Sequence, residues 1–200
     1  MIAKDSDLAH RYLDGLKGIE IGAGAHNPFH IPDCVFVDYT ADMDTEFKRL
    51  EMQHCGAKQK VDIVAPGDDL PFLDEAWDYV LSSHVIEHFF DPIKALSEWQ
   101  RVLKPGGLIF IICPHVARVK DEKRPVTRLR ELMNRHNGAM RPEDVVMADG
   151  HHDHQSVWDT ASFLDLCAHL GLNVICYLDK DDKVGNGFCV VIRKPPKDPT

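Results

Sequence analysis

The sequence lacks the features that mark membrane, secreted or nucleic-acid-binding proteins. It has no apolar run approaching the ~20 residues that a membrane-spanning helix needs, so no membrane partner is expected. Residues 1–5 do not resemble the apolar core of a signal peptide, and we therefore expect a cytoplasmic location. Acidic residues outnumber basic ones by 32 to 23, and the net charge of −9 disfavours general binding of nucleic acid.

Paired cysteines are also missing. The six cysteines are scattered along the chain and form no C-x-x-C motif. Most of them stand in apolar runs, which indicates reduced thiols in a core rather than a disulfide framework or a cysteine-based zinc site.

Positive charge is present but is concentrated in one segment. Residues 118–141 contain eight lysines or arginines and only three acidic residues. Such a basic segment in an acidic protein could attract an anionic substrate. The alternative is a solvated, partly mobile insertion without a ligand.

Segments typical of strands and helices alternate along the chain, which predicts a doubly wound α/β sheet in a single domain, 1–200. Most strands should be parallel, but the last two are joined by a connection too short for a helix, so the last strand should be antiparallel. Residues 115–157 do not fit the alternation and are interpreted as an inserted, lid-like segment on the substrate side. The predicted strands are 17–22, 34–38, 61–64, 77–82, 108–113, 172–178 and 188–192, and the predicted helices are 5–15, 44–54, 92–103, 127–136 and 160–170.

A glycine turn between the first two strands is the clearest sign of a ligand. Gly22 and Gly24 follow the first strand, and Asp38 ends the second. Glycine lets backbone N–H groups approach a ligand closely, and an acid at this position of a parallel sheet usually binds ribose hydroxyls. His26 and Asn27 stand where a dinucleotide-binding turn has its third small residue, and two prolines leave no room for the usual helix. A nucleoside cofactor without a pyrophosphate is therefore favoured.

Further motifs follow in order. They are Leu70-Pro-Phe72, Ser82-Ser-His-x-x-Glu-His88 and Arg101-Val-Leu-Lys-Pro-Gly-Gly107. Together with Glu20-x-Gly22-x-Gly24 and Asp38, they resemble the class I, Rossmann-like S-adenosylmethionine-dependent methyltransferases, in the small-molecule subgroup. The resemblance covers about residues 17–113 and, more weakly, 159–194. It implies S-adenosylmethionine as cofactor and a small-molecule acceptor.

The resemblance also implies roles for individual residues. Asp38 would accept both ribose hydroxyls. Asp68 is the candidate for the adenine-contacting acid after the third strand, with Asp69 or backbone groups as the alternatives. Ser83 and His84 would bind the methionine end or face the substrate, while Glu87 and His88 would brace the local turn. The residues expected at the methionine portion are Glu20, Gly22, Ala23 and Gly24.

Histidines near the insertion are the candidates for catalysis. His115 follows the fifth strand, and His151 and His154 stand in the run Gly150-His-His-Asp-His-Gln155. A histidine there could accept the proton of a hydroxyl or amine, although a histidine-rich surface loop is the plain alternative. The spacing in the run does not place two ligands on one helix face, so no metal site is expected.

The interpretation is methyl transfer from S-adenosylmethionine to an oxygen or nitrogen of a small acceptor, with no preference for an oligomeric state. Two alternatives remain open at this point. A nicotinamide-dependent oxidoreductase would share the glycine turn and Asp38 but lacks the full G-x-G-x-x-G pattern. A non-catalytic S-adenosyl-binding protein would explain the shortened loop after Gly24.

Overall fold

A seven-stranded sheet forms the centre of the protein. The computed structural model describes residues 3–119, 124–145 and 154–197. The strand order is β3-β2-β1-β4-β5-β7-β6, and the first five strands run parallel to one another. The predicted doubly wound, mostly parallel α/β fold is confirmed. The strands are β1 (Gly18–Ile21), β2 (Cys34–Asp38), β3 (Ile63–Val64), β4 (Trp77–Ser83), β5 (Leu103–Pro114), β6 (Asn173–Leu178) and β7 (Gly187–Arg193).

The last strand reverses direction, as predicted. β7 pairs antiparallel with both β5 and β6, and it lies between them. The connection that precedes it, 179–186, is built around Asp181, whose carboxylate accepts backbone N–H groups from Val184, Gly185 and Gly187. A turn held in this way needs no helix, which explains why the chain returns immediately beside the strand that it has just formed.

Within the described ranges, five α-helices flank the sheet, and side-chain caps start four of them. Ser6, Thr45, Asp91 and Asp159 each accept a backbone N–H of the first helical turn, which satisfies donors that have no partner within the helix. The helices are α1 (Asp7–Leu13), α2 (Glu46–Cys55), α3 (Pro92–Val102), α4 (Leu129–His136) and α5 (Thr160–His169), with short 3-10 helices at Ile86–His88 and Pro142–Asp144.

The two faces of the sheet bury separate apolar cores. One face packs against α3, α4 and α5, with Trp99, Trp158 and Phe163 among its largest fully buried side chains. The other packs against α1 and the loop that follows the glycine turn, whose Phe29 and Ile31 are buried. This loop occupies the place of a helix after β1, so the prediction of a helix-free connection is confirmed.

The start of β5 differs from the prediction. We expected the strand to begin at Leu108, but it begins at Leu103, directly after α3 ends. Leu103 pairs with Trp77, and the register then shifts before Tyr79 pairs with Leu108. Gly106, with φ of +82°, provides the left-handed backbone within this irregular stretch, and its N–H donates to the carbonyl of Lys194. The Lys-Pro-Gly-Gly motif is therefore a bulged strand start rather than a separate turn.

The segment between β5 and α5 is attached to the core in its described parts. α4 lies beside α3 and α5, and Leu132 belongs to the core on that face. Thr127 and Val157 exchange two hydrogen bonds of 2.9 Å, which tie the two ends of the segment together. Among the described residues, no helix combines the length and the apolarity needed to cross a membrane.

Candidate functional site

The candidate site lies where the order of the parallel strands reverses. β1 is hydrogen-bonded to β2 on one side and to β4 on the other, so their carboxyl ends meet at one edge of the sheet. Ligands of open α/β sheets bind in the crevice outside such a switch point. The glycine turn, Asp38, Ser83 and His84 are all placed at this edge because each follows or ends one of the three strands.

The glycine turn has a geometry that strongly favours glycine at its first position. Gly22 has φ of +68°, and its N–H donates to the carbonyl of Val37 at 2.8 Å. A Cβ added at Gly22 would lie 2.6 Å from Cγ2 of Val85, in the connection that follows β4. The turn is thus packed directly against the end of β4. This contact brings Ala23 and Gly24 to the same crevice as His84.

Asp38 stands at the end of β2 with one oxygen engaged. Its Oδ1 accepts the N–H of Tyr39 at 2.7 Å, and its Oδ2 lies 4.0 Å from Nζ of Lys48. Burial raises the pKa of Asp38, while the Tyr39 N–H and the Lys48 charge act in the opposite direction. An acceptor of this kind suits the paired hydroxyls of a ribose.

The sequence alone did not indicate the buried ion pair beside Asp38. Lys48 and Glu51 on α2 are both buried, with Nζ 3.1 Å from Oε1, and Lys48 also approaches the carbonyl of Ala23 at 3.4 Å. Glu51 further accepts the N–H of Gln59. The pair therefore links α2 to the glycine turn. The i,i+3 spacing of Lys48 and Glu51 can be read from the sequence, but oppositely charged residues at this spacing are common on exposed helix faces, so the spacing does not indicate that the pair is buried.

Unsatisfied polar atoms surround the end of β4. Within the described residues, Oδ1 of Asn27, Oγ of Ser82 and Nε2 of His84 are buried and have no hydrogen-bond partner. The amide of Asn27 donates to Oγ of Ser83 at 2.9 Å, which joins the loop after the glycine turn to β4. Buried polar groups without partners are costly, so their grouping at this edge indicates that a polar ligand supplies the missing bonds.

The backbone and protonation state of His84 fit that interpretation. The residue has φ of +56°, a conformation that costs energy outside glycine and that is concentrated at functional sites. Burial lowers the pKa of His84 to about 4, so the ring is neutral at physiological pH. A neutral ring can donate one hydrogen bond and accept another. An α-carboxylate or an α-amino group of the expected cofactor would satisfy these atoms.

Glu20 faces a cavity beneath the loop after the glycine turn. The cavity has a volume of about 170 Å³, and its lining includes Glu20, Gly24, Phe29 and Phe36. Burial raises the pKa of Glu20 to about 8, and the charge of Lys183 offsets only part of this effect. Glu20 is therefore close to the glycine turn, as expected, but it is enclosed between β1, β2 and the loop.

Asp68 is engaged by a neighbouring helix. Its Oδ2 accepts a hydrogen bond from Nζ of Lys94 on α3 at 3.0 Å. It lies in the loop after β3, next to Gly67, whose carbonyl accepts the indole N–H of Trp99 at 2.7 Å. The adenine-contacting role stays a prediction, and a cofactor would share this carboxylate with Lys94.

The two described candidate histidines have different surroundings. Nδ1 of His115 accepts the N–H of Ala117 at 3.1 Å, and its Nε2 lies 3.9 Å from Oδ1 of Asp179. His154 instead lies beside His88, with ring centroids 4.9 Å apart, and its Nε2 is 4.0 Å from Oε1 of the fully buried Glu87. The third candidate, His151, lies outside the described residues.

Sequence reasoning missed the meeting of His154 with Glu87 and His88, which are more than sixty residues away in the chain. The 3-10 helix that carries Glu87 and His88 lies next to the segment that begins at residue 154, because the N–H of Ser156 donates to the carbonyl of Glu87 at 3.0 Å. The ring of His88 also contacts Phe47 on α2, with centroids 6.1 Å apart. These residues therefore form a wall beside the crevice that Asp38 and the glycine turn define.

Comparisons with known proteins agree with this geometry. Residues 19–111 match the family model for a methyltransferase domain. An S-adenosylmethionine-dependent methyltransferase from Methanosarcina mazei has the same fold, with a TM-score of 0.56 at 15% identity over 96% of this chain and 98% of that one. The chain carries a class I, Rossmann-like methyltransferase domain. The cofactor that these findings support for the methyltransferase domain is S-adenosylmethionine, rather than the nicotinamide alternative.

Two curated relatives match part of the chain. The uncharacterized methyltransferase YcgJ of Bacillus subtilis is 32% identical over 136 residues, which cover 68% of this chain and 50% of that protein. A ubiquinone/menaquinone biosynthesis C-methyltransferase, UbiE, of a Geobacter species is 35% identical over 108 residues, which cover 52% of this chain and 45% of that protein. The chain thus spans about half the length of the curated relatives that it matches.

Proposed function

We propose that this protein transfers a methyl group from S-adenosylmethionine to an oxygen or nitrogen of a small-molecule acceptor. The observation that carries the proposal is the set of buried, unpartnered polar atoms of Asn27, Ser82 and His84 at the switch point, opposite the ribose-binding position of Asp38. When bound, the cofactor supplies an already reactive sulfonium methyl group. The chain therefore contributes by binding and orienting the cofactor and the acceptor and by excluding water from the site.

Each group around the crevice has a distinct binding task. Asp38 would accept the ribose hydroxyls, and Asn27 and His84 would bind the methionine end through buried atoms that have no hydrogen-bond partner within the described residues. The close packing of Gly22 against Val85 fixes the distance between these two ends. Holding reactants in an aligned geometry can contribute roughly 7–11 kcal/mol in favourable cases.

His154 is the better placed of the two described candidates for accepting a proton from the acceptor. It lies in the wall beside the crevice with His88. His115 uses Nδ1 to accept a backbone N–H, so in the neutral ring the proton is on Nε2, towards Asp179. We expect His154→Gln to lower turnover by a factor of ~100 or more and His115→Gln to lower it much less.

An anionic or sugar-like acceptor, such as a phosphorylated or nucleotide-linked sugar, is the finer part of the proposal. Several cations of the basic segment are already paired: Arg118 with Asp179, Arg135 with Glu131, and Arg141 with Glu143. Arg128 and Arg130 are exposed, and Arg124 is half-buried. The two exposed arginines, Arg128 and Arg130, are the candidates for steering a negative charge towards the site.

Charge reversal tests the acceptor class. Replacing Arg128 and Arg130 with Glu should raise the KM of an anionic acceptor and weaken its dependence on salt, because the attraction is electrostatic. The matched control is the pair Arg11→Glu and Lys60→Glu, which changes the net charge equally at exposed positions elsewhere. Equal effects of the two pairs, or no effect of either, would contradict an anionic acceptor guided by this segment.

The reaction itself is tested by transfer of a labelled methyl group to an acceptor. Purified protein is incubated with S-adenosylmethionine carrying a labelled methyl group and with panels of phenols, amines and phosphorylated sugars. Labelled product on oxygen or nitrogen supports the proposal. Product on carbon only, in line with the C-methyltransferase among the relatives, would contradict the acceptor atom. Tight S-adenosyl binding without turnover on any panel would favour a non-catalytic binding protein.

A further inference from the structure

A buried carboxylate next to the crevice has no hydrogen-bond partner for either oxygen. Glu87 is fully buried, and among the described residues neither Oε1 nor Oε2 has a hydrogen-bond partner. An isolated buried carboxylate is expensive, because its charge has lost the solvation of water. Such a group either is neutral or faces a cation.

Imidazole nitrogens from two parts of the chain converge on this carboxylate. Nε2 of His88 lies 3.9 Å from Oε1 of Glu87, and Nε2 of His154 lies 4.0 Å from the same oxygen. The three ligand atoms are all within 4.8 Å of one another. Nδ1 of His84 lies 3.8 Å from Oε1 of Glu87 as well. These separations are too long for direct hydrogen bonds, and they leave space between the atoms.

The rigid surroundings of the cluster indicate that the convergence is built into the fold. The carbonyl of Glu87 accepts the N–H of Ser156, which fixes the segment after His154 against the 3-10 helix. The buried guanidinium of Arg135 donates to Oγ of Ser156 at 3.0 Å and to the carbonyl of Gln155 at 2.9 Å. The next two residues after His154 are therefore held in place by hydrogen bonds.

We propose that Glu87, His88 and His154 bind a divalent transition-metal cation of the zinc type. Two imidazole nitrogens and one carboxylate oxygen are a ligand set that such cations prefer over the oxygen-only sets of Mg²⁺ and Ca²⁺. Ligands at about 2.1 Å from a tetrahedral cation are roughly 3.4 Å apart, so the two distances from Glu87 need to contract by about 0.6 Å and the distance between the two histidine nitrogens by at most about 1.4 Å. Small movements of the His88 and His154 rings, which are 27% and 14% exposed, would accomplish this.

The site would have a specific consequence for the acceptor. Three protein ligands leave a coordination position open, as in catalytic zinc sites, and the side chains of both histidines are partly exposed. A hydroxyl or phenol oxygen bound at that position would lose its proton more readily because of the cation. With the cation bound, the proton of the acceptor would pass to solvent water; without it, His154 would accept that proton directly, so a loss of turnover is expected for His154→Gln in both cases.

Zinc binding can be measured without knowing the acceptor. Tag-free protein is dialysed against a chelator and titrated calorimetrically with ZnCl₂ and, separately, with MgCl₂. We expect one zinc per chain with a Kd below about 1 μM, and no comparable binding of magnesium. The variants Glu87→Gln, His88→Ala and His154→Ala should each weaken zinc binding at least about tenfold.

The matched control is His136→Ala. His136 is also a partly exposed histidine beside a carboxylate, 2.9 Å from Asp91, but it is not part of the cluster. Its replacement should leave zinc affinity unchanged. Retention of wild-type affinity in Glu87→Gln or His88→Ala, or the absence of stoichiometric zinc binding, would overturn the proposal.

A second measurement covers variants that fold poorly. A ligand that binds only the folded state raises the unfolding temperature, so zinc should stabilise the wild-type protein and His136→Ala but not His88→Ala. Equal stabilisation of all three would contradict a site formed by the cluster. Both measurements are independent of methyl transfer, so failure of the metal proposal would leave the proposed reaction intact.

Discussion

Glu20 offers a test of the crevice through protein stability. It is enclosed beneath the loop after the glycine turn, and burial raises the pKa of its carboxyl group from 4.5 to about 8. A group whose pKa is raised on folding favours the folded state at low pH, and the benefit is lost as the pH rises. The wild-type protein should therefore lose stability relative to Glu20→Gln between about pH 4.5 and pH 8.

The size of this loss follows from the pKa difference. Each pKa unit is worth about 1.4 kcal/mol, so the full effect above pH 8 approaches about 4–5 kcal/mol. Between pH 5 and pH 8, the free energy of unfolding of Glu20→Gln should rise relative to the wild type by about 3 kcal/mol. Glutamine has nearly the same shape as protonated glutamate, so the packing against β2 and the loop should be little disturbed.

Urea unfolding of both proteins at pH 5, 6.5 and 8 measures the difference. Glu143→Gln is the control, since Glu143 is 60% exposed and pairs with Arg141 at the surface. The difference in unfolding free energy between the wild type and Glu143→Gln should change by less than about 0.5 kcal/mol over the same pH range, as is usual for surface substitutions. If the difference in unfolding free energy between the wild type and Glu20→Gln were constant across this pH range, the enclosure of the Glu20 carboxyl group would be refuted.

Two further substitutions test the packing that shapes the site. Gly22→Ala should cost about 2–4 kcal/mol in unfolding free energy and weaken cofactor binding, because the new methyl group would meet Val85 in addition to the strain of a positive φ. The control is Gly15→Ala, because Gly15 has φ of +80° and open space around it, so that its replacement should cost only the backbone strain of about 1–2 kcal/mol. Equal losses of unfolding free energy in the two variants would contradict the close packing of the glycine turn. Trp99→Phe should cost about 1–2 kcal/mol more in chemical denaturation than Trp158→Phe, because both indoles are fully buried but within the described structure only that of Trp99 donates a hydrogen bond. A cost no larger than that of Trp158→Phe would show that the Gly67 loop does not depend on this hydrogen bond.

The elements that local sequence determines were predicted well. Asp91 and Pro92 marked the start of α3, and the short connection before β7 marked the reversal of the last strand. The helix-free loop after Gly24 followed from its two prolines. In each of these cases a few neighbouring residues fix the backbone, so the signal lies within a short window.

Contacts between distant segments were not predictable in the same way. The pairing of Leu103 with Trp77 extends β5 into the Lys-Pro-Gly-Gly motif, and this pairing depends on the neighbouring strand rather than on the motif. The meeting of His154 with Glu87 depends on the path of the whole inserted segment. Helical spacing is a criterion for ligands on one element, and it cannot detect ligands that two elements bring together. The expectation of no metal site rested on that spacing, and the geometry of Glu87, His88 and His154 is the reason why we now propose one.

The most direct test of the central claim is a calorimetric titration with S-adenosylhomocysteine of the wild type, of Asp38→Asn and of the exposed control Asp44→Asn. We expect one binding site per chain and no change in affinity for Asp44→Asn. Asp38→Asn should lose about 10–100-fold in affinity, because hydrogen bonds to a charged acceptor are worth roughly 1.5–3 kcal/mol. Binding of NAD⁺ in place of S-adenosylhomocysteine, or equal affinity in all three proteins, would contradict a cofactor held at the end of β2.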